Sequence, residues 1–320
     1  MSRSVQRFDV LGIGCTAVDE ILYVPEYPAA DGKVEVRQRE RHCGGLCATA
    51  LVAAARLGAH CRFAGTLGAD EGSRFVLETL SREGIDCRFA VRQPKAGPVR
   101  STIVVDETRR TRNIFFDTNQ VVGAHPTRPA KSVILAARVL LVDRFGIPGM
   151  TRAARLARSA GIPVVADFES KHSPGFNKLL ALSDHLILSR DFACGLTGDP
   201  SPERAAAKLW SATRSAVVIT AGAEGCWYRD SQEKVVHRPA FKVAALDTTG
   251  CGDVFHGAYA FGLARGMDLP GRIELASATA ALKATKRGGQ AGIPGYAAVR
   301  KFLRRGGPEI LTGHERTDVH

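Results

Sequence analysis

The chain has 320 residues, 45% of them hydrophobic, a formal net charge of +12 and eight cysteines. That length can bury one large α/β core with a small appendage, and no run of eighteen apolar residues is there to span a bilayer. The opening Met1-Ser2-Arg3-Ser4-Val5-Gln6-Arg7 has no apolar signal region, so the chain reads as cytoplasmic. The basic residues are dispersed and sit in no nucleic-acid motif, so an anionic small substrate fits the charge as well as nucleic acid does. No Cys-x-x-Cys pair occurs, which predicts buried reduced thiols rather than a metal cluster.

Phe8 to Gly14 reads as a central strand. Gly12-Ile13-Gly14-Cys15-Thr16-Ala17 matches a relaxed dinucleotide fingerprint. The next segment, Val18 to Val24 and then Pro25, is extended chain and not the helix that fingerprint requires. Residues 20 to 43 look strand-like, with a turn at Ala30-Asp31-Gly32-Lys33. Val34, Val36 and Gln38 then alternate with charged neighbours, which predicts a half-exposed antiparallel strand. On that strand Lys33, Glu35, Arg37, Arg39 and Arg41 would share one face. Gly44-Gly45 opens an alanine-rich helix that ends at Gly58. Val99 to Val105 and Arg112 to Phe116 form a second extended pair around a polar turn that includes Arg109 and Arg110.

Strands and helices then alternate. Strands are predicted at His60 to Ala64, Val139 to Asp143, Pro163 to Asp167, Leu186 to Leu188 and Ala216 to Thr220, and also at Phe241 to Leu246. Helices are predicted at Gly72 to Glu83, Thr151 to Ala160, 269–286 and 294–303. The fold class is α/β, a central mostly parallel sheet with helices on both faces plus a small β-sheet lid. The core takes 1–14, 44–97 and 119–305, the lid 15–43 and 98–118, and 306–320 is a polar, flexible tail. Ligands bind such sheets at the carboxyl ends of the strands. Asp143, Asp167 and Thr220 are predicted there.

The turn Asp247-Thr248-Thr249-Gly250-Cys251-Gly252-Asp253 carries the chemistry. It precedes a helix of small and apolar residues that runs to Gly266. A glycine turn opening a helix leaves backbone N–H groups free at the positive end of the helix dipole, a ready anion site. A carboxylate there has a job if it takes a proton from a hydroxyl while the N–H groups of Gly250, Cys251 and Gly252 hold the charge on a transferred phosphoryl group. The plain alternative is an acid in the first turn of a helix. No Walker-type phosphate loop is present.

This turn resembles the C-terminal signature of the ribokinase-like (PfkB) carbohydrate kinases, with Cys251 where that family mostly has Ala. Gly44-Gly45 with the adjoining helix to Ala55-Arg56-Leu57-Gly58 is similar to its N-terminal signature, with Thr49 in place of a sugar-binding Asn. The resemblance spans Gly12 to about Leu303. It implies an ATP-dependent sugar kinase with Asp253 as base, and Asp19, Gly44, Gly45 and Thr49 against the sugar. Thr220, Gly222, Gly225 and Gly292 would meet the nucleotide. It also implies Mg²⁺, with Asp143 acting through water, and in some members a monovalent cation such as K⁺, at Asp247 and Thr249. The family's Asn-x-x-Glu is replaced by Ser189 and Phe192, with Asp191 one residue early. Thr49 and the run Lys283 to Pro294 resemble the 6-deoxy-6-sulfofructose kinase branch. An anionic sugar would be met by Lys33 and Arg144. The plain reading of those lid cations is a solvated edge that discourages aggregation. Exposed lid strands suggest a homodimer through the lid. Two readings compete: a nucleoside kinase of the same fold, for which Phe115 and Phe116 would supply an apolar lid, and a non-catalytic sugar-binding regulator.

Overall fold

Phe8–Ile13 (β1) is buried at every position, as a strand covered on both faces must be. The computed structural model describes residues 6–305 apart from Arg110, Val121 and Glu233. The tail expected at 306–320 lies outside the described residues. From β1 the chain leaves the core for Ala17–Val24 (β2) and returns along Gln38–Gly44 (β3) into the helix Leu46–Arg56 (α1). Cys61–Phe63 (β4), Thr66–Leu67 (β5), Glu71–Arg82 (α2) and Val91–Arg92 (β6) come after it. The second excursion is Val99–Asp106 (β7) and Thr111–Asp117 (β8).

The core resumes with Lys131–Leu135 (α3), Ala137–Val142 (β9), Ile147–Ser159 (α4), Val164–Asp167 (β10), Phe176–Ala181 (α5) and His185–Ser189 (β11). Arg190–Thr197 (α6), Pro202–Leu209 (α7), Ala216–Thr220 (β12), Cys226–Arg229 (β13) and Val236–Arg238 (β14) come next. Cys251–Ala264 (α8), Leu269–Ala284 (α9) and Tyr296–Arg304 (α10) close the chain. The helix starts are written in the sequence. Asp70, Ser189, Ser201 and Asp268 each cap a helix by accepting a backbone N–H three residues on.

The main sheet has the order β14-β13-β12-β11-β10-β9-β1-β4. Its strands from β4 to β12 in that order run parallel, and β13 runs antiparallel between β12 and β14. One face packs on α1, α2, α8, α9 and α10, the other on α3 to α7. This is the predicted fold class. The lid is a four-stranded sheet in the order β3-β2-β7-β8, with β2 and β7 parallel. All eight cysteines are free. Among the described residues no helix is long and apolar enough to cross a membrane.

Two expected strands are corrected. The strand predicted over 34–38 begins only at Gln38, because β2 ends ahead of Pro25 and its Tyr23 already pairs with Gln38. Residues 32–36 therefore have no ladder partner and run irregularly. The segment Phe241 to Leu246 is also not a strand beyond a bridge at Phe241. The N–H groups of Leu246 and Asp247 both reach the Ala284 carbonyl at the end of α9, at 2.7 and 3.0 Å.

Candidate active site

The turn at 247–253 lies where predicted, in front of α8. Gly250 takes the left-handed conformation, φ 75°, and no side chain caps the helix. The Cys251 N–H closes the turn on the Thr248 carbonyl at 3.2 Å. Among the described residues the N–H groups of Gly252 and Asp253 meet no backbone acceptor. Of the expected donors only the Cys251 N–H is engaged; among the described residues the Gly250 and Gly252 N–H groups keep no backbone acceptor, and Asp253 joins them. The Cys251 thiol turns toward the Ala280 carbonyl at 3.6 Å.

Three sequence-distant segments meet at this turn. Thr49, in the first turn of α1, accepts a hydrogen bond from Gln290 Nε2 at 3.3 Å. A Cβ on Gly250 would lie 3.3 Å from the Gly289 carbonyl and 3.4 Å from the Thr49 methyl. Gly45, φ 96°, starts α1, and its backbone comes so close to Thr16 that a Cβ would approach it to 2.6 Å. Gly44 lies against the Asp19 carboxylate, with no room for a side chain between them. Asp19 itself stands on β2. Its pKa is raised by burial, with a Ser101 hydrogen bond and His42 opposing. Asp19, Gly44, Gly45, Thr49 and the 250–253 turn are thus brought to one place.

The acids of this edge lie close enough to raise one another's pKa. Asp143 is buried and accepts the N–H groups of Cys15 at 2.6 Å and Phe145 at 2.8 Å. Burial pushes its pKa up to about 7, those N–H bonds opposing and Asp167 adding to the rise. The Asp253 pKa is pushed well up, first by burial and then by the charges of Asp167, Glu169, Asp143 and Asp19. Glu169 is raised by burial and Asp167, against the pull of Arg144. Arg144 lies 3.9 Å from Glu169 and 4.1 Å over the Phe145 ring. Among the described residues no three His, Cys, Asp or Glu side chains converge closely enough to hold a metal ion.

Asp143 also makes stability depend on pH. Its folded pKa lies above the ordinary 3.8, so between the two values the folded state holds a proton that the unfolded chain has lost. Stability from this group is full below the lower value and falls as pH rises toward about 7, by about 1.4 kcal/mol per pH unit for one proton. The free enzyme should therefore melt at a higher temperature at pH 5 than at pH 7. A calorimetric series showing Tm rising over that interval would remove Asp143 as a buried, proton-holding group.

On the other side of the turn lies a cavity of about 370 Å³ with Thr220, Gly222, Gly225, Phe255 and Ala281 among its walls, and with Cys251 and Gly252 at its border. Gly222–Glu224 is a 3-10 turn joining the antiparallel β12 and β13. Gly292 is not among the residues of this wall; it packs against Lys283 and Lys286. A larger open groove of about 740 Å³ lies on the other side of the lid, between Glu20, Arg41, Glu71, Arg100 and Phe115, and holds none of the expected catalytic residues.

The cation face expected on the lid is not formed. Lys33 is exposed on the irregular stretch. The register puts Arg39 and Arg41 beside Leu22 and Glu20, on the face opposite Asp19, and Arg41 pairs with Glu20 and Glu71. The Asp19 face instead carries Tyr23, Ser101, Arg112 and Phe116. Ser189 and Phe192, the two departures from the acidic motif, have structural tasks. Ser189 caps α6, and Phe192 stacks edge-on against Phe176. Asp191 stands exposed in the first turn of α6.

Three important groups escape a reading of the sequence. His256, one turn into α8, faces the Gly252 carbonyl at 2.8 Å, the Ile187 carbonyl at 3.0 Å and Asp167 at 3.3 Å, so it ties the start of α8 to β10 and β11. A histidine one turn into a mostly apolar helix is the one available signal. Lys283 is fully buried, and its Nζ donates to the Asp247 carbonyl at 2.9 Å. The Asp247 carboxylate accepts the N–H groups of Thr249 and Gly288, each at 2.8 Å. Glu169, two residues past β10, carries no motif at all.

Comparison with known proteins agrees with this geometry. The pfkB family carbohydrate kinase profile matches residues 8–295. Ribokinase of Staphylococcus aureus (strain COL) is 28% identical over 89% of this chain and 96% of its own length. Mouse ribokinase is 32% identical over 69% of this chain and 71% of its own. The structure of Arabidopsis thaliana ribokinase, solved with ribose and ATP, superposes with a TM-score of 0.82 at 21% identity, covering 93% of this chain and 99% of that one. The chain belongs to the pfkB family of carbohydrate kinases and is a sugar kinase.

Proposed function

We propose that this kinase phosphorylates a hydroxymethyl group of a furanose- or ketose-type sugar, with Asp253 as the general base. One observation carries this reading. Asp253 follows directly on Cys251 and Gly252, which border the apolar cavity, and its carboxylate lies within electrostatic reach of Asp167, Glu169, Asp143 and, from the lid, Asp19. A hydroxyl held by Asp19 from the lid lies on the acidic side. A purine fits the cavity walled by Phe255 and Ala281 on the other. ATP would supply the γ-phosphoryl group, and Mg²⁺ would neutralise part of the phosphate charge.

Asp253 takes the proton of the attacking hydroxyl, and the Gly252 and Asp253 N–H groups hold the charge of the transferred group. Magnesium keeps most of its water and needs few protein ligands. Asp143, whose two oxygens already accept N–H groups, and Glu169 would meet the ion only through its water. The Asp19 side of the site is rich in carboxylates; of the cations near it, Arg144 is engaged with Glu169 and Phe145, and Arg112 and Arg287 stand further along the lid face, by Tyr23. A neutral polyhydroxyl therefore fits better than a sulfo- or phosphosugar.

ADP release by purified protein against sugars, sulfosugars, sugar phosphates and nucleosides tests the reading. A neutral sugar should turn over fastest. A nucleoside as best substrate would replace this reading with that of a nucleoside kinase, for which Phe116 on the Asp19 face would be the base-stacking group. We also propose a homodimer through the lid. Its edge strand β8 exposes Ile114, Phe115 and Phe116 by 49%, 52% and 60%, an apolar edge that invites pairing. Sedimentation should give twice the chain mass, and Phe115→Glu should shift it to the monomer; a monomeric wild type refutes this.

A further inference from the structure

The family resemblance implies a monovalent cation at Asp247 and Thr249, and the structure offers a test of whether they fit one. Both carboxylate oxygens of Asp247 are taken by the N–H groups of Thr249 and Gly288. Its main-chain carbonyl accepts the Lys283 ammonium at 2.9 Å, and the same ammonium lies 4.0 Å from the carboxylate. Lys283 has no exposed surface. It comes from the last turn of α9, whose Ala284 carbonyl binds the N–H groups of Leu246 and Asp247. An ion added to this carbonyl would meet a positive charge already seated on it. Each Asp247 oxygen that would strip water from the ion already accepts a donor. The residues present do not fit a dissociable cation.

We propose that the Lys283 ammonium is a tethered substitute for a monovalent cation, fixing the 247–249 turn and with it the donors that open α8, so that turnover does not require potassium. The inference rests on reading 250–253 as the phosphoryl-transfer turn. The placement explains why a charged side chain is spent inside the core. An ammonium without a partner would be strongly disfavoured there, and this one joins α9, the Asp247 carbonyl and, through Asp247, the 288 loop. Burial lowers its pKa, with Cys251 and Asp247 opposing. Arg112 from β8 adds positive potential over the same turn. Lys283 is thus a positioning residue: it touches the turn and not the reacting atoms.

The test compares wild type with Lys283→Ala in choline chloride, sodium chloride, potassium chloride and ammonium chloride at matched ionic strength, reading thermal unfolding and ADP release separately. Wild type should melt and turn over alike in all four. Lys283→Ala should melt lower in choline, recover part of that loss in potassium or ammonium, and lose kcat by about 10²-fold in choline, the size expected when a reacting geometry shifts by about 1 Å. If the alanine variant does not fold in choline, refolding on adding potassium or ammonium supports the proposal, and failure to refold in any salt overturns it. Wild type stabilised or activated strongly by potassium, or a variant indifferent to the cation, also overturns it. The unfolding arm needs no substrate, so a wild type inactive on every sugar would sink the proposed function while the melting curves still decide the role of Lys283.

Discussion

Asp253→Asn should lower kcat by roughly 10²–10⁴-fold while the protein still binds ATP and sugar and melts no lower than wild type. The carboxylate is in the first turn of α8, where the dipole and two free N–H groups favour an anion. Asn keeps the shape and the backbone donors but cannot take the proton. Stability should not suffer, because burial and then the neighbouring carboxylates disfavour the Asp253 charge, and an amide carries none. The same shift sets the sign of the pH profile. The base works only when deprotonated, and its pKa is raised from 3.8. The acid limb of kcat/KM should therefore lie above the ordinary aspartate range, and in Asp253→Asn it should vanish from the residual rate. Near-normal turnover in the variant would remove Asp253 from the chemistry. A loss of ATP binding would instead make it a ligand.

Much of the site is legible in the sequence because its residues are local. The turn at 247–253 is one contiguous string in front of an apolar helix, so its backbone geometry can be read directly. The same holds for Gly44-Gly45, since both the glycine pair and the helix it opens lie within a dozen residues. The groups that escape depend on contacts across the chain. Thr49 meets Gln290 from 241 residues away, and Lys283 meets Asp247 across 36. No periodicity encodes either contact.

The lid shows a different limit. Alternation over 33–41 reads as one strand face, but alternation does not say whether a partner strand is present. β2 stops before Pro25, so only Gln38 onward is paired, and the register turns Arg39 and Arg41 away from Asp19. A shift in where pairing begins thus changes the expected substrate charge. The segment before the turn fails for a similar reason. Phe241 to Leu246 is apolar like a strand, yet it lines the cavity beside the 247–253 turn and hands its last N–H groups to α9.

Gly257→Ala should reduce stability and turnover together, and the reason lies in how the two halves of the site are held. Gly257 is one helical turn after Asp253, on the same side of α8. A Cβ there would overlap the Ala50 carbonyl of α1 and stand 2.9 Å from the Ala53 Cβ. Backbone cannot swing aside as a long side chain can, so α8 must move off α1. The overpacking should cost about 1–3 kcal/mol. The functional loss should exceed what that destabilisation implies at room temperature. α1 carries Gly45 and Thr49 at its start, α8 carries Gly252 and Asp253 at its start, and their close approach sets the proposed sugar edge relative to the proposed base. A shift near 1 Å between them should lower kcat by about 10²-fold, with nucleotide affinity retained because the cavity walls at Phe255 and Ala281 move with α8 and α9. Gly195→Ala is the control: it lies in α6, a Cβ there meets nothing within 4 Å, and the exchange should be neutral or slightly stabilising. If Gly257→Ala melts and turns over like Gly195→Ala, the α1–α8 contact does not set the geometry of this site.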